Sequence, residues 1–244
     1  YLISQWKEKG KIKGDEYIVK TIVTTELIAK IAKKNCIEYF DCYTGFKWIA
    51  AVMRENEGKK TYIGGGEESY GFLPEDFVRD KDAVSSCALM AEIAAWLKDR
   101  NKTLYDFLLD IYVEYGFSKE KGISVVKKGK SGAEEIDAMM TNFRNNPIKE
   151  IAGSKVILIK DFSTLTGTDF LENERIILDM PTTSNVLQYF TEDGTKVSIR
   201  PSGTEPKIKF YVEVSGELKD KNSLQEAENK ANAKIEALKA SLGI

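Results

Sequence analysis

Apolar, β-rich runs alternate with helical patterns through the first half of the chain, and this alternation constrains the fold most. Strand-like runs cover residues 17–23, 36–40 and 61–63, and apolar residues at helical spacing cover 25–34 and 46–55. Strands separated by helices form a parallel sheet with helices on its faces, and ligands bind beyond the carboxyl ends of those strands. The sequence therefore predicts a three-layer α/β domain with a mostly parallel sheet.

Two further helices are predicted at residues 84–98 and 104–115, the second with Thr103 as its N-cap and Asp106 three residues on. The pattern then changes, because short strand candidates crowd together. They cover residues 155–160, 175–178, 186–191, 196–200 and 208–214. Asp193-Gly194 between two of these candidates is a strong hairpin signal, which indicates antiparallel pairing.

Helical spacing returns twice in this second half. A methionine and aromatic stripe indicates one helix, and the stripe is more typical of core than of a cofactor site. Its members are Ile136, Met139, Met140 and Phe143. A terminal helix is predicted to open at Ser223, with Glu226 completing a capping box. Its apolar face is formed by Leu224, Ala227, Ala231, Ile235, Leu238 and Leu242. We therefore expect an α/β domain over 1–117 and a smaller α+β domain with an antiparallel sheet over 118–244.

The charge balance argues against nucleic acid and membrane partners. The chain has 36 basic and 38 acidic residues among 244, so its net charge of −2 creates no general attraction for polyanions. No apolar run approaches the roughly 20 residues that cross a bilayer. The three cysteines form no C-x-x-C pair, which favours a reducing, cytoplasmic compartment and argues against a zinc site.

The chain contains no histidine. This excludes Ser-His-Asp and Cys-His nucleophilic catalysis within these residues, and it removes the commonest zinc ligand. Acid and base work within the chain falls to carboxylates, lysine, tyrosine or bound water.

Residues 200–207, Arg-Pro-Ser-Gly-Thr-Glu-Pro-Lys, place a positive charge, two hydroxyls and a glycine in one proline-bracketed turn. Arg200 can present its planar fork to phosphate oxygens, and glycine lets backbone N–H groups turn toward the same point. We predict a phosphate-binding loop; an ordinary surface turn is the alternative reading. Its residues are Arg200, Ser202, Gly203 and Thr204, with Lys207 and Lys209 following at strand spacing.

Residues 64–71, Gly-Gly-Gly-Glu-Glu-Ser-Tyr-Gly, form a second glycine-rich segment with different chemistry. Its adjacent carboxylates, Glu67 and Glu68, would repel a phosphate dianion. Carboxylate and hydroxyl acceptors suit sugar hydroxyl groups instead, because an unmatched buried polar group is costly. By this reasoning either glutamate can serve, and a solvated glycine-rich turn remains the alternative.

Both segments, in this order, resemble loops of the alpha-D-phosphohexomutase superfamily, the phosphoglucomutases and phosphomannomutases. Residues 44–48 and 79–82 are similar to further segments of its third domain. The resemblance implies that 1–117 is the sugar-binding third domain and 118–244 the phosphate-binding fourth domain. It also implies sugar contacts from Thr44, Gly45, Gly66, Glu67 and Ser69. Lys81 is implied as an acid/base or charge-stabilising group, although its alternating-charge surroundings are also typical of a solvated surface.

The resemblance implies that the intact enzyme interconverts hexose 1-phosphate and hexose 6-phosphate through a phosphoserine and a bisphosphorylated sugar. Mg²⁺ would be its metal cofactor, and glucose 1,6-bisphosphate its intermediate or activator. The phosphoserine loop (T-A-S-H-N-P-like) and the magnesium loop (D-x-D-x-D-R) of the family do not occur here. We therefore expect the missing N-terminal domains of the same polypeptide to supply them, and we expect the isolated chain to be inactive.

Two alternatives stay open. One is a non-catalytic module that senses sugar phosphates. The other is a phosphopentomutase or phosphoglucosamine mutase of the same superfamily. The form Glu-Glu-Ser-Tyr-Gly without a following histidine resembles phosphoglucomutases more closely, including those with phosphomannomutase or phosphopentomutase activity.

Overall fold

The protein divides into two compact units, Tyr1–Tyr115 and Gly116–Ile244. The structure is a computed structural model that describes residues 1–127, 129–203 and 205–244. Within these ranges, every helix is too short or too polar to cross a bilayer.

The first unit is built on a mixed, mostly parallel sheet. Its strands are β1 (Glu16–Thr21), β2 (Glu38–Cys42), β3 (Thr61–Gly66) and β4 (Phe72–Pro74). They lie in the order β2-β1-β3-β4, with β1 parallel to both β2 and β3, and β4 antiparallel to β3. Its helices are α1 (Leu2–Glu8), α2 (Glu26–Lys34), α3 (Phe46–Asn56), α4 (Ala83–Lys98) and α5 (Leu104–Tyr115). The predicted alternation is thereby confirmed.

Alternate side chains of β1 point into two different cores. Tyr17 and Val19 pack against Ile49 and Met53 of α3 on one face of the sheet. Ile18 lies on the other face with Ala32 of α2, where side chains of α1 also pack. A sheet that is covered on both faces forms the middle of three layers, as predicted.

The second unit is an antiparallel α+β domain. Its strands are β5 (Phe117–Val126), β6 (Glu150–Ile151), β7 (Ser154–Asp161), β8 (Thr166–Asp169), β9 (Glu174–Ile177), β10 (Leu187–Thr191), β11 (Lys196–Pro201) and β12 (Lys207–Gly216). The main sheet runs β5-β12-β11-β10-β7-β8-β9, and β6 pairs with β7. Its helices are α6 (Gly129–Asn145) and α7 (Leu224–Leu242), with a 3₁₀ turn at Lys221–Ser223. This unit is longer than the first, so the expectation that it is the smaller was wrong.

The two faces of the second sheet differ in chemistry. Ile208, Phe210 and Val212 of β12 are buried, and the ring of Phe210 meets that of Phe143 on α6 at 6.1 Å between centroids. Residues of opposite parity, including Lys207 and Lys209, face the other side because side chains alternate along a strand. The predicted stripe of α6 is thus core.

Two local predictions need correction. Ser223 stands at the N-cap of α7 but makes no side-chain cap hydrogen bond. Asp220 forms the capping box instead, accepting from the amides of Asn222 and Ser223 ahead of the helix, while Glu226 pairs with Lys230. The glycines 64–66 belong to β3 rather than to a loop. A Cβ on Gly65 would lie 2.7 Å from the backbone oxygen of Val19, so close strand packing explains this glycine.

Candidate functional site

The three parallel strands of the first unit end at one edge of their sheet. β1 ends at Thr21, β2 at Cys42 and β3 at Gly66, and each strand is followed by a turn at the edge where ligands of α/β proteins bind. The predicted sugar-contacting residues lie in these turns or next to them.

Glu67 is held in place by a turn that follows a different strand. The amide N–H of Gly45 donates to Glu67 Oε1 at 2.6 Å. Gly45 is the N-cap of α3 with a φ of 110°, a conformation that glycine adopts without strain. The amide of Glu67 donates to the carbonyl of Gly71 at 2.8 Å and closes the turn between β3 and β4. One carboxylate oxygen is therefore fixed, and the other has no partner among the described residues.

Lys81 reaches the same turn. A Cβ built on Gly71 would lie 3.0 Å from Glu67 Oε2 and 3.2 Å from Lys81 Cδ, so these two side chains flank Gly71. The Lys81 side chain is 56% exposed, with Nζ 3.1 Å from Asp80 Oδ1 and 5.8 Å from the centroid of the Phe46 ring. A carboxylate acceptor and an ammonium donor beside each other suit a ligand with several hydroxyl groups.

Thr44 and Ser69 contribute hydroxyls at this edge. Thr44 precedes Gly45 and is half-buried, and Ser69 lies exposed in the turn after β3. Within the described ranges neither hydroxyl has a hydrogen-bond partner. Gly66 ends β3, and a Cβ there would lie 2.8 Å from the carbonyl oxygen of Gly71, so its role is to let the hairpin close tightly.

Glu68 turns to a different neighbour from Glu67. Its Oε2 accepts from the hydroxyls of Thr21 at 3.1 Å and Thr24 at 3.2 Å. Both threonines are buried: Thr21 is the last residue of β1, and Thr24 lies in the turn that follows. The adjacent glutamates therefore have different partners, although from the sequence either could contact a sugar hydroxyl.

In the second unit, Arg200 and Lys209 lie directly opposite each other on β11 and β12. Directly opposed like charges destabilise a sheet unless an anion lies between them. Arg200 has no ion-pair partner within the described residues, and Lys209 Nζ lies 5.9 Å from the centroid of the Tyr211 ring. Lys207, in contrast, forms an ion pair with Glu205.

The turn between β11 and β12 is held by its own backbone. The amide of Ser202 donates to the carbonyl of Lys207 at 2.8 Å, so that amide is not available to a ligand. Gly203 is exposed, with no atom within 4 Å of where its Cβ would be. Thr204 lies outside the described residues.

A cavity of about 340 Å³ lies beside this turn. Gly129 and Ala133 of α6 line it together with Ser202 and Gly203, and so do the acidic residues Asp137 and Glu205. Because carboxylates repel phosphate, the sheet face that carries Arg200 and Lys209 is the better place for an anion.

A buried charge cluster below the first site escaped the sequence reasoning. Lys20 Nζ lies 2.7 Å from Asp41 Oδ1 and 3.0 Å from Glu26 Oε1, with its side chain 0% exposed. Burial disfavours the ammonium form, but attraction to Asp41 and Glu26 exceeds that penalty and raises the pKa of Lys20. Burial, with the nearby charges of Asp41 and Glu67, raises the pKa of the Cys42 thiol to about 12. In the sequence, the sign of this cluster is Lys20, a charged residue inside a predicted strand.

Two family descriptions match this architecture in order. Residues 1–115 match "Phosphoglucomutase/phosphomannomutase, alpha/beta/alpha domain III", and residues 125–231 match the C-terminal domain of the same family. The fold and its loops thus define a pair of domains from the alpha-D-phosphohexomutase superfamily. The chain belongs to the phosphoglucomutase/phosphomannomutase family and comprises its third and C-terminal domains.

Curated relatives agree with this assignment. The chain is 35% identical over 214 residues to a phosphoglucomutase of Staphylococcus haemolyticus, covering 88% of this chain and 39% of that protein. It is 41% identical over 195 residues to a phosphoglucomutase of Staphylococcus aureus strain MRSA252, covering 80% of this chain and 35% of that protein. The chain therefore spans less than half the length of these relatives.

Solved structures share the fold. Parafusin, a phosphoglucomutase from Paramecium in an open form, superimposes with a TM-score of 0.59 at 20% identity, over 92% of this chain and 37% of that one. A putative phosphomannomutase from Thermus thermophilus superimposes with a TM-score of 0.54 at 16% identity, over 95% of this chain and 39% of that one.

Proposed function

We propose that the intact protein is a phosphohexomutase that interconverts hexose 1-phosphate and hexose 6-phosphate, and that this chain recognises the sugar and the non-reacting phosphate. Family membership and relatives named phosphoglucomutase support the reaction class. The observation that carries the proposal is the Glu67 carboxylate, which the Gly45 amide fixes beside Lys81 at the carboxyl edge of the sheet.

In this proposal the first unit grips the sugar ring. Glu67 Oε2 accepts a hydrogen bond from a ring hydroxyl, while Lys81 Nζ donates to a neighbouring oxygen. Thr44, Ser69 and the Gly45 turn add further contacts. The negative charge of Glu67 and Glu68 keeps phosphate away from this edge, so the sugar is held by its hydroxyl groups.

The second unit holds a phosphate in the same proposal. Arg200 offers a bidentate contact and Lys209 a second positive charge directly opposite it. Ser202, Gly203 and Thr204 complete the loop around the anion. Lys207, which Glu205 partly neutralises, contributes mainly by attracting the ligand from a distance.

The chemistry itself involves groups outside this chain. In the proposed cycle a sugar hydroxyl oxygen attacks the phosphorus of a phosphoserine and forms a new P–O bond. The serine P–O bond breaks, and the proton of the sugar hydroxyl ends on the released serine oxygen. The bisphosphorylated sugar reorients and returns its other phosphoryl group to the serine. The described residues contain no cluster of three or more His, Cys, Asp or Glu side chains fit to hold a metal ion. In this proposal the part played by this chain is to orient the substrate.

A coupled mutase assay with the complete protein and glucose 1-phosphate tests the proposal. Glu67→Gln removes a contact to a buried hydroxyl and should lower kcat/KM roughly 5- to 150-fold, the equivalent of about 1–3 kcal/mol. Glu55→Gln, at the opposite end of α3 from Gly45, is the matched control and should behave as wild type. The isolated 244-residue chain should show no turnover.

Two results would contradict the proposal. Glu67→Gln as active as Glu55→Gln would remove the sugar role of the carboxylate. A complete protein that binds hexose phosphate without turning it over would instead be a sugar-phosphate sensor.

A further inference from the structure

Glu68 forms a clasp with Thr21, at the end of β1, and with Thr24, in the turn that follows. The proposed sugar site does not use this clasp directly. We infer that Glu68 is a positioning residue: it binds Thr21 and Thr24, and thereby fixes the turn that carries Glu67 and Ser69. A role for the clasp in sugar binding rests on the proposed function, whereas the clasp itself rests on the hydrogen-bond distances.

The two hydroxyls of the clasp are buried and lie close together. Thr21 is 0% and Thr24 is 5% exposed, so these hydroxyls are shielded from solvent. Their oxygens lie 2.8 Å apart, and both are within hydrogen-bond distance of Glu68 Oε2. Each hydroxyl has one proton to donate, and a carboxylate is a stronger acceptor than another hydroxyl. Glu68 Oε2 is therefore a strong acceptor that both hydroxyls can reach.

The clasp complements the contact made by Glu67. Glu67 fastens the turn to Gly45 after β2, whereas Glu68 fastens it to the end of β1 at Thr21 and to Thr24 just beyond. Neighbouring carboxylates thus tie one turn to two separate segments, half-buried at Gly45 and buried at the two threonines. Without the second tie, Ser69 and the free oxygen of Glu67 would keep their chemistry but lose their fixed positions, which weakens recognition.

Amide hydrogen exchange over residues 67–71 of the complete protein tests the clasp without any ligand. Glu68→Ala should speed exchange in this turn roughly tenfold to a hundredfold, as expected for loss of hydrogen bonds to a charged group. Glu68→Gln keeps an oxygen acceptor and should recover part of that loss. Glu55→Gln, an exposed carboxylate in the last turn of α3, is the control and should leave exchange unchanged.

A mutant cycle asks whether the partners act together. Thr21→Val with Thr24→Val should speed exchange by a similar factor, and adding Glu68→Ala should add little, because all three changes break one network. The clasp would be overturned if the triple variant multiplied the exchange rates of the threonine pair and of Glu68→Ala, or if Glu68→Ala left exchange unchanged. Either result would leave the proposed function untouched.

Kinetics of the same variants test the positioning role. Glu68→Ala should raise KM for glucose 1-phosphate roughly tenfold with a smaller change in kcat, and Glu68→Gln should lie between it and wild type. Faster exchange with unaltered KM would show that the clasp positions nothing the substrate needs. A wild-type protein without mutase activity would overturn the proposed function and this role together, while the exchange data would still report on the clasp.

Discussion

Arg200 and Lys209 occupy directly opposed positions on neighbouring antiparallel strands, and no described acidic side chain forms an ion pair with either. Two cations in this relationship repel each other in the free protein. An anion bound between them would convert that repulsion into attraction, which is why this pair favours a phosphate site over an ordinary surface turn.

The first prediction follows from the repulsion. Lys209→Gln should stabilise the phosphate-free protein at low salt by about 0.5 kcal/mol, since it removes one of two opposed like charges. Lys207→Gln should not stabilise, because Lys207 has Glu205 as its partner. Thermal melts at low and high ionic strength measure both effects, and salt should erase the gain. A loss of stability in Lys209→Gln would mean that the opposed charges do not repel significantly.

The second prediction concerns Lys20. Lys20→Met keeps the volume but leaves Asp41 and Glu26 without their cation, and should destabilise the protein by about 3 kcal/mol near neutral pH. Lys98→Met on the exposed surface of α4 is the control. Urea denaturation of the three proteins gives the comparison.

The same cluster has a defined pH dependence. The folded-state pKa of Lys20 is raised above its ordinary value of 10.5, so its stabilising effect is complete below that value. It is lost as the pH rises through the higher, folded-state pKa. The difference between wild type and Lys20→Met should therefore narrow under strongly alkaline conditions, where Lys20 loses its charge. A difference that shrinks on acidification alone, with no alkaline loss, would contradict this assignment.

The third prediction concerns the start of the terminal helix. Asp220→Ala removes the side chain that accepts from the amides of Asn222 and Ser223 and should cost about 1 kcal/mol of stability. Glu226→Ala removes only an exposed ion pair with Lys230 and should cost far less. Equal losses in the two variants, measured by urea denaturation, would restore the capping box expected from the sequence.

The correction at Asp220 shows where sequence reasoning works in this protein. Regular periodicity located β1, α3 and α5 to within a few residues, because buried faces repeat at fixed intervals. The motif Ser-x-x-Glu at residues 223–226 has the sequence of a capping box. A local motif does not show, however, that a 3₁₀ turn capped by Asp220 precedes the helix.

β5 was missed for a related reason. Its sequence, Phe-Ser-Lys-Glu-Lys-Gly-Ile-Ser-Val-Val, lies at the edge of the second sheet and is largely polar. Edge strands commonly carry charges that discourage pairing with other chains. Such a strand lacks the apolar alternation from which strands are recognised.

The site was partly foreseeable. The residue types at 67 and 200 indicated hydroxyl and phosphate recognition, since charge decides which ligand each loop tolerates. The contact between Gly45 and Glu67 joins residues 22 positions apart, and it depends on strand order rather than on local sequence. The different partners of Glu67 and Glu68 had no signal in the sequence for the same reason.

The most direct test of the account is calorimetric titration of glucose 1,6-bisphosphate into the complete protein and its Arg200 variants. Arg200→Ala should weaken binding by about 1.5–3 kcal/mol, and Arg200→Lys should recover only part of this because an ammonium cannot form the bidentate contact. Arg175→Ala, an exposed arginine on β9, is the control, and thermal melts check that each variant folds. An Arg200→Ala protein that binds as tightly as wild type would contradict the phosphate site on which the proposed function depends.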